Sequence, residues 1–114
     1  MQQAAEGANP KFLFECSYTA EGLKGLLKDK ASGRRQAISQ IAEAVGGKLD
    51  ALYYAVGDND AYVIVDLPDL ATATAIAVNV SSSGFIHTKT VPLMTVEETD
   101  KALSKTIAYR PPGH

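Results

Sequence analysis

Along Lys11–Tyr18 (KFLFECSY) an extended chain would carry Phe12, Phe14, Cys16 and Tyr18 on one side and Leu13, Glu15 and Ser17 on the other. This aromatic-rich run predicts a first strand. Thr19 follows as a helix N-cap, with Glu21 placed where a negative charge favours the helix dipole. The helix is predicted from Ala20 to about Asp29, with a break at Ala31-Ser32-Gly33 and a second stretch to about Val45. In that stretch Ile38, Ile41, Ala42 and Val45 recur at helical spacing, and Gly46-Gly47 ends it. Lys48–Val56 (KLDALYYAV) and Ala61–Leu67 (AYVIVDL) read as a strand hairpin around the turn residues Gly57-Asp58-Asn59-Asp60. Asp69 caps an alanine-rich second helix to about Ser81, and the serines up to Gly84 stop it. Phe85–Met94 is a fourth strand in which Pro92 signals an edge or a bulge. Thr95 and Glu98 form a capping box opening a third helix to about Ile107. Residues 1–10 read as a mobile leader, 11–108 as the folded domain, and 109–114 (YRPPGH) as an extended tail.

The order β-α-β-β-α-β plus a C-terminal helix predicts an α+β fold, the ferredoxin-like sandwich. Its sheet has four antiparallel strands in the order 4-1-3-2, with both main helices on one face. Nothing in the chain covers the second face, yet apolar residues sit at neighbouring positions: Leu13 and Phe14, Leu49 and Leu52, Ile64 and Val65, Phe85 and Ile86. A sheet face in water should alternate cleanly. The expected cover is a second copy of the chain, in a homodimer or a larger oligomer of dimers. The alternative is a monomer wrapped by its own third helix and tail.

Composition narrows the function classes. With 114 residues, 46% of them hydrophobic and 21% charged, the chain suits one ordered domain. Eleven Lys+Arg against thirteen Asp+Glu leave a net charge of −2, so no basic surplus points to nucleic acid. A single cysteine allows no intrachain disulfide and suggests a cytoplasmic setting. No apolar run approaches the roughly 20 residues of a membrane span.

The stretches Ser17-Tyr18-Thr19-Ala20-Glu21-Gly22, Gly33-Arg34-Arg35, Gly46-Gly47-Lys48-Leu49 and Tyr53-Tyr54-Ala55-Val56-Gly57 carry a resemblance. So do Asp60, Ile64-Val65-Asp66-Leu67-Pro68-Asp69, Ser83-Gly84, Thr88-Lys89-Thr90 and Thr95-Val96-Glu97-Glu98. In this order and spacing they make the chain resemble the GYD-domain family from about Pro10 onward. The family signature places one residue between Gly and Tyr-Asp. Here Gly57 and Asp60 fit, and Asn59 stands where the tyrosine would be. The resemblance implies a ferredoxin-like fold of the dimeric α/β-barrel group, and defines no activity. Related barrels include cofactor-free monooxygenases and haem-binding enzymes, an analogy of fold alone.

Several polar residues fall on predicted strands. Glu15 and Ser17 share a face, His87 and Lys89 share another, and the first and fourth strands are neighbours in this topology. The four would form an acid/base or ligand-binding patch in which His87 changes charge near neutral pH. The plainer reading is a solvated face with a weak cross-strand Glu15–Lys89 pair. Tyr18, Tyr53, Tyr54 and Tyr62 cluster on three strands, with adjacent Tyr53 and Tyr54 pointing to opposite faces. They would orient a small ligand or simply pack at an interface. Asp60 is a site candidate or a turn aspartate bonding backbone. Cys16 reads as a buried, inert thiol, and Arg34-Arg35 as solvated surface. His87 and His114 are the only histidines, so no metal is expected, and the glycines form no phosphate loop. No cofactor is expected.

Three readings remain open. The first is an oligomeric binding protein with Glu15, Ser17, Tyr18, Tyr53, Asp60 and Lys89 near a small ligand, in a pocket between sheet and helices or at the dimer interface. The second is a cofactor-independent enzyme with His87 as acid or base, Tyr54 or Tyr53 as orienter, and Asp66 or Glu15 as charge partner. The third is a structural module whose Pro111-Pro112 tail crosses a neighbouring subunit.

Overall fold

A computed structural model describes residues 9–114 of the chain, so the leader expected at 1–10 lies almost wholly outside the described residues. Four strands, β1 (Lys11–Tyr18), β2 (Lys48–Tyr54), β3 (Ala61–Asp66) and β4 (Ile86–Leu93), form one antiparallel sheet in the order β2-β3-β1-β4. This is the predicted 4-1-3-2 order. Helices α1 (Ala20–Ala44) and α2 (Leu70–Ser82) pack on one face, and α3 (Val96–Leu103) follows β4.

Each helix starts where a side chain satisfies the free N–H groups of the first turn. Thr19 accepts from the Gly22 N–H at 3.1 Å, and its own hydroxyl donates to the Gly84 carbonyl at 2.9 Å. Asp69 accepts from the Thr72 N–H at 2.8 Å. The Thr95–Glu98 capping box is complete, with bonds of 3.0 and 2.8 Å. α1 is interrupted at Lys30, whose φ of 65° and ψ of 169° lie in a region essentially reserved for glycine. The break comes one residue before the Ala-Ser-Gly run that predicts it.

Alternation along the strands sets the two faces. Phe12 and Phe14 of β1 and Val63 and Val65 of β3 are buried with Leu67 beneath Ala42 of α1 and Ala73 of α2. Alanine at both helix positions lets the helices approach the sheet closely. Burying each such Phe or Val side chain stabilises the fold by about 1.5–3 kcal/mol. The register of β2 slips between Leu49 and Ala51, a bulge that leaves Asp50 without a partner on β3. Leu49 and Leu52 therefore both face the helices, opposite Val65 and Val63. Their spacing was one sign of two apolar faces in β2; the bulge reduces it to one. The open face keeps a single apolar row, Ala51–Ile64–Leu13–Val91, running across all four strands.

Several boundaries differ from expectation, β3 ending at Asp66 among them. β2 stops at Tyr54, and Val56 lies fully exposed in the turn. β4 spans Ile86–Leu93, leaving Phe85 outside it, with Pro92 on the edge strand as its chemistry demands. α3 ends at Leu103, short of Ile107. The third helix does not wrap the open face: every residue from Met94 to His114 is exposed. No described helix is long and apolar enough to cross a membrane.

Gly22 is buried where a Cβ atom would fall on the Phe85 carbonyl oxygen, well inside contact distance. That carbonyl also accepts the Thr19 N–H at 2.9 Å, so it is not free to move away. Gly22→Ala is expected to lower unfolding free energy by about 2–3 kcal/mol in urea titrations. A change of less than about 0.5 kcal/mol would contradict this packing.

Candidate functional site

A chamber of about 80 Å³ lies between the sheet and the two long helices. Its floor comes from the helix-facing residues of β1, β3 and β4, its roof from Ile38, Ile41 and Ala42 of α1 and Ile76 and Val80 of α2. The wall is almost wholly apolar. Next to it a wider cleft of about 370 Å³ opens outward, bounded by the first half of α1, the end of α2 and Phe85. Tyr18, Arg34, Val80 and Ile86 line both spaces and form the neck between them.

Polar groups are few and concentrated near that neck. The Tyr18 and Tyr54 hydroxyls lie 3.5 Å apart. Burial, and then the Tyr18 hydroxyl, push the Tyr54 phenol well above its ordinary value, against a smaller opposing pull from Arg34. Burial also pushes the Cys16 thiol up, with the nearby Thr88 hydroxyl and Arg34 pulling weakly the other way. At neutral pH both groups keep their protons, so Tyr54 offers a hydrogen-bond donor and Cys16 is no thiolate nucleophile. The Thr88 Oγ1 is buried close to Cys16 without hydrogen-bond geometry to any group.

Arg34 stands out chemically. Its Nε is buried without a hydrogen-bond partner, and none of the ion pairs among the described residues includes it. A buried unmade donor costs about 1–3 kcal/mol. Its neighbour Arg35 is exposed, as expected for two successive helix positions. Reading both arginines as solvated surface therefore misses Arg34. The available signal was spacing: Arg34 precedes Ile38 by four residues and lies on the same stripe as Ile38, Ile41 and Ala42.

The other candidates separate by face. Ser17 lies directly opposite His87, and Glu15 lies between Lys89 and Tyr62, with Tyr53 beyond Tyr62. This is the polar patch expected from alternation, and it occupies the open face. Tyr53 and Tyr54 do point to opposite faces: Tyr53 is 69% exposed on the open side, and Tyr54 lies beneath the helices. His87 and Tyr54 are thus separated by the sheet. Asp66 shares the face of His87, but its partner Lys11 is six positions from Ser17, about 20 Å along β1. The structure does not bring His87, Tyr54 and Asp66 together. Asp66 instead accepts from Lys11 at 2.6 Å, and Lys11 also reaches Asp50 at the bulge. Those two hydrogen bonds, first the one that Asp50 accepts and then the one that Asp66 accepts, raise the Lys11 pKa.

Asp60 has a clear structural task. Its carboxylate accepts the Tyr18 N–H at 2.8 Å, and its own N–H donates to the Cys16 carbonyl at 2.8 Å. Its carbonyl accepts the Ala55 N–H at 2.8 Å. One residue thus clamps the β2–β3 turn onto the end of β1, forty-two positions away from Tyr18 in sequence. Asn59 adds contacts of 3.4 Å to Ser17 and to the Tyr62 hydroxyl. Among the described residues no three His, Cys, Asp or Glu side chains converge on a metal position.

A four-stranded antiparallel sheet in this order, with two helices on one face and a chamber between the layers, defines an α+β sandwich of the ferredoxin-like type. The chain belongs to the GYD domain family, whose model matches residues 12–103. No curated protein and no solved structure gives a significant match.

Burial of Cys16 has a measurable consequence. Alkylation by iodoacetamide is expected to be slow at neutral pH, with a rate midpoint above the roughly 8.5 of a free cysteine. A midpoint at or below that value would show an accessible, activated thiol instead.

Proposed function

We propose that this protein binds a small molecule in the chamber between sheet and helices, and works as a pair of identical subunits in the cytoplasm. The chamber carries the reading. It is an apolar space joined to an outer cleft through a neck that includes Tyr18 and Arg34, and an apolar wall with a few polar groups is what a ligand site commonly offers. Cys16 remains protonated in its wall, which suits recognition better than nucleophilic chemistry.

Self-association is supported from two directions. The row Ala51–Ile64–Leu13–Val91 gives the open face an apolar centre flanked by polar residues. Beyond it, α3 exposes Val96 and Leu103, and the segment after it exposes Ile107 and Tyr109. A helix of eight residues is marginal in water unless it packs on something. A second copy supplies both surfaces, and the arm from Thr95 to His114 then lies across the neighbour.

A second reading, cofactor-free acid/base catalysis, is favoured by the Ser17–His87 and Glu15–Lys89 oppositions on the open face. In that reading His87 works with Glu15, Tyr53 and Tyr62. Tyr54 and Asp66 take no part because of where they lie.

The test is an NMR screen of the ¹⁵N-labelled protein against a mixture of small aromatic and aliphatic compounds. Hits are expected to shift the amides of Cys16, Ala42 and Thr88 around the chamber. Perturbations confined to Glu15, His87 and Lys89 would move the site to the open face, and an absence of hits at millimolar concentration would remove the binding role.

A further inference from the structure

We propose that the ligand of this chamber is a small apolar monoanion, a carboxylate or an enolate-type oxyanion, whose charged oxygen sits on Arg34 at the neck and whose body fills the apolar chamber. The inference rests on the chamber being the ligand site. It adds the chemical class that the site selects.

Three observations carry it. Arg34 presents a permanently charged guanidinium at the junction of the two spaces, with its Nε buried and unbonded. Among the described residues no carboxylate lines the inner chamber, where the nearby polar groups are Tyr18, Cys16 and Thr88. The Tyr18 hydroxyl at the neck can donate to that oxyanion while it accepts from the Tyr54 hydroxyl behind it. An anion at the neck therefore meets donors and one full positive charge, and no buried negative charge.

Size and charge limit the choice further. The chamber is smaller than the roughly 150 Å³ cavity that holds benzene, so with the charged oxygen at the neck it takes a short alkyl chain more readily than a whole ring. Glu21 and Asp29 line that outer cleft, and neither lies within 4.0 Å of the Arg34 nitrogens. Two carboxylates in the cleft, Glu21 offset in part by Lys24 at 3.7 Å, oppose a second negative charge on the ligand. Phosphates and dicarboxylates are thereby disfavoured relative to monoanions.

The experiment uses titration calorimetry on the full-length protein with hexanoate and benzoate, against the uncharged hexanamide and benzamide and against inorganic phosphate. Wild type is expected to bind at least one monoanion tenfold or more tighter than its amide, and phosphate not measurably. Arg34→Gln is expected to erase that preference while keeping the amide affinity within about threefold. Arg34→Lys is expected to retain part of it, and Arg35→Gln all of it. Protection of Cys16 from alkylation by the bound probe locates it in the chamber without relying on any variant. Equal binding of acid and amide, with Cys16 protected, would overturn the monoanion assignment and leave the chamber as a binding site. Binding of an acid that leaves Cys16 unprotected, or that Arg34→Gln does not weaken, would place it elsewhere and overturn the assignment. No binding by any probe would overturn the assignment together with the reading beneath it.

Discussion

Phe12 and Phe14 of β1, buried with Val63 and Val65 against Ala42 and Ala73, are the contact on which the rest of the structure depends. β1 is hydrogen-bonded to both β3 and β4, so it joins the hairpin to the edge strand. Its helix-facing side anchors α1 and α2 to the sheet and supplies the chamber floor through Phe14, Cys16 and Tyr18. Its other side places Leu13 at the centre of the open apolar row. One strand of eight residues thus sets both the enclosed space and the uncovered surface. The Asp60 clamp adds to this by fixing the far end of β1 to the β2–β3 turn.

Much of this was legible in local chemistry. Thr19, Asp69 and the Thr95–Glu98 box mark their helix starts because unpaired N–H groups demand such side chains. Alternation in β1 and β3 assigns the faces, and with them the opposition of Ser17 to His87 and of Glu15 to Lys89. The β2 bulge was not legible, because an extra residue breaks the period-two rule without any glycine or proline to announce it. The strained Lys30 was hidden for a similar reason, since the glycine expected to form the break stands three positions later.

The site was only half legible. Alternation puts Tyr54 and His87 on opposite faces only once the β2 register is known, and the distance from His87 to Asp66 depends on antiparallel pairing rather than on spacing. Arg34 was obscured by its neighbour: two adjacent arginines read as a charged surface, although only one falls on the apolar stripe of the helix. Its unbonded Nε required the three-dimensional packing of α1 over the sheet. Among the described residues, the one cation lining the chamber is therefore of a type that suggests solvent.

Self-association is the proposal most open to direct test, because α3 and one face of the sheet find no cover among the described residues. Sedimentation velocity over a series of concentrations tests that claim most directly. A species of roughly twice the 12.1 kDa chain mass, or a multiple of that pair, is expected to persist into the low micromolar range. A single species at 12.1 kDa even at hundreds of micromolar would contradict it.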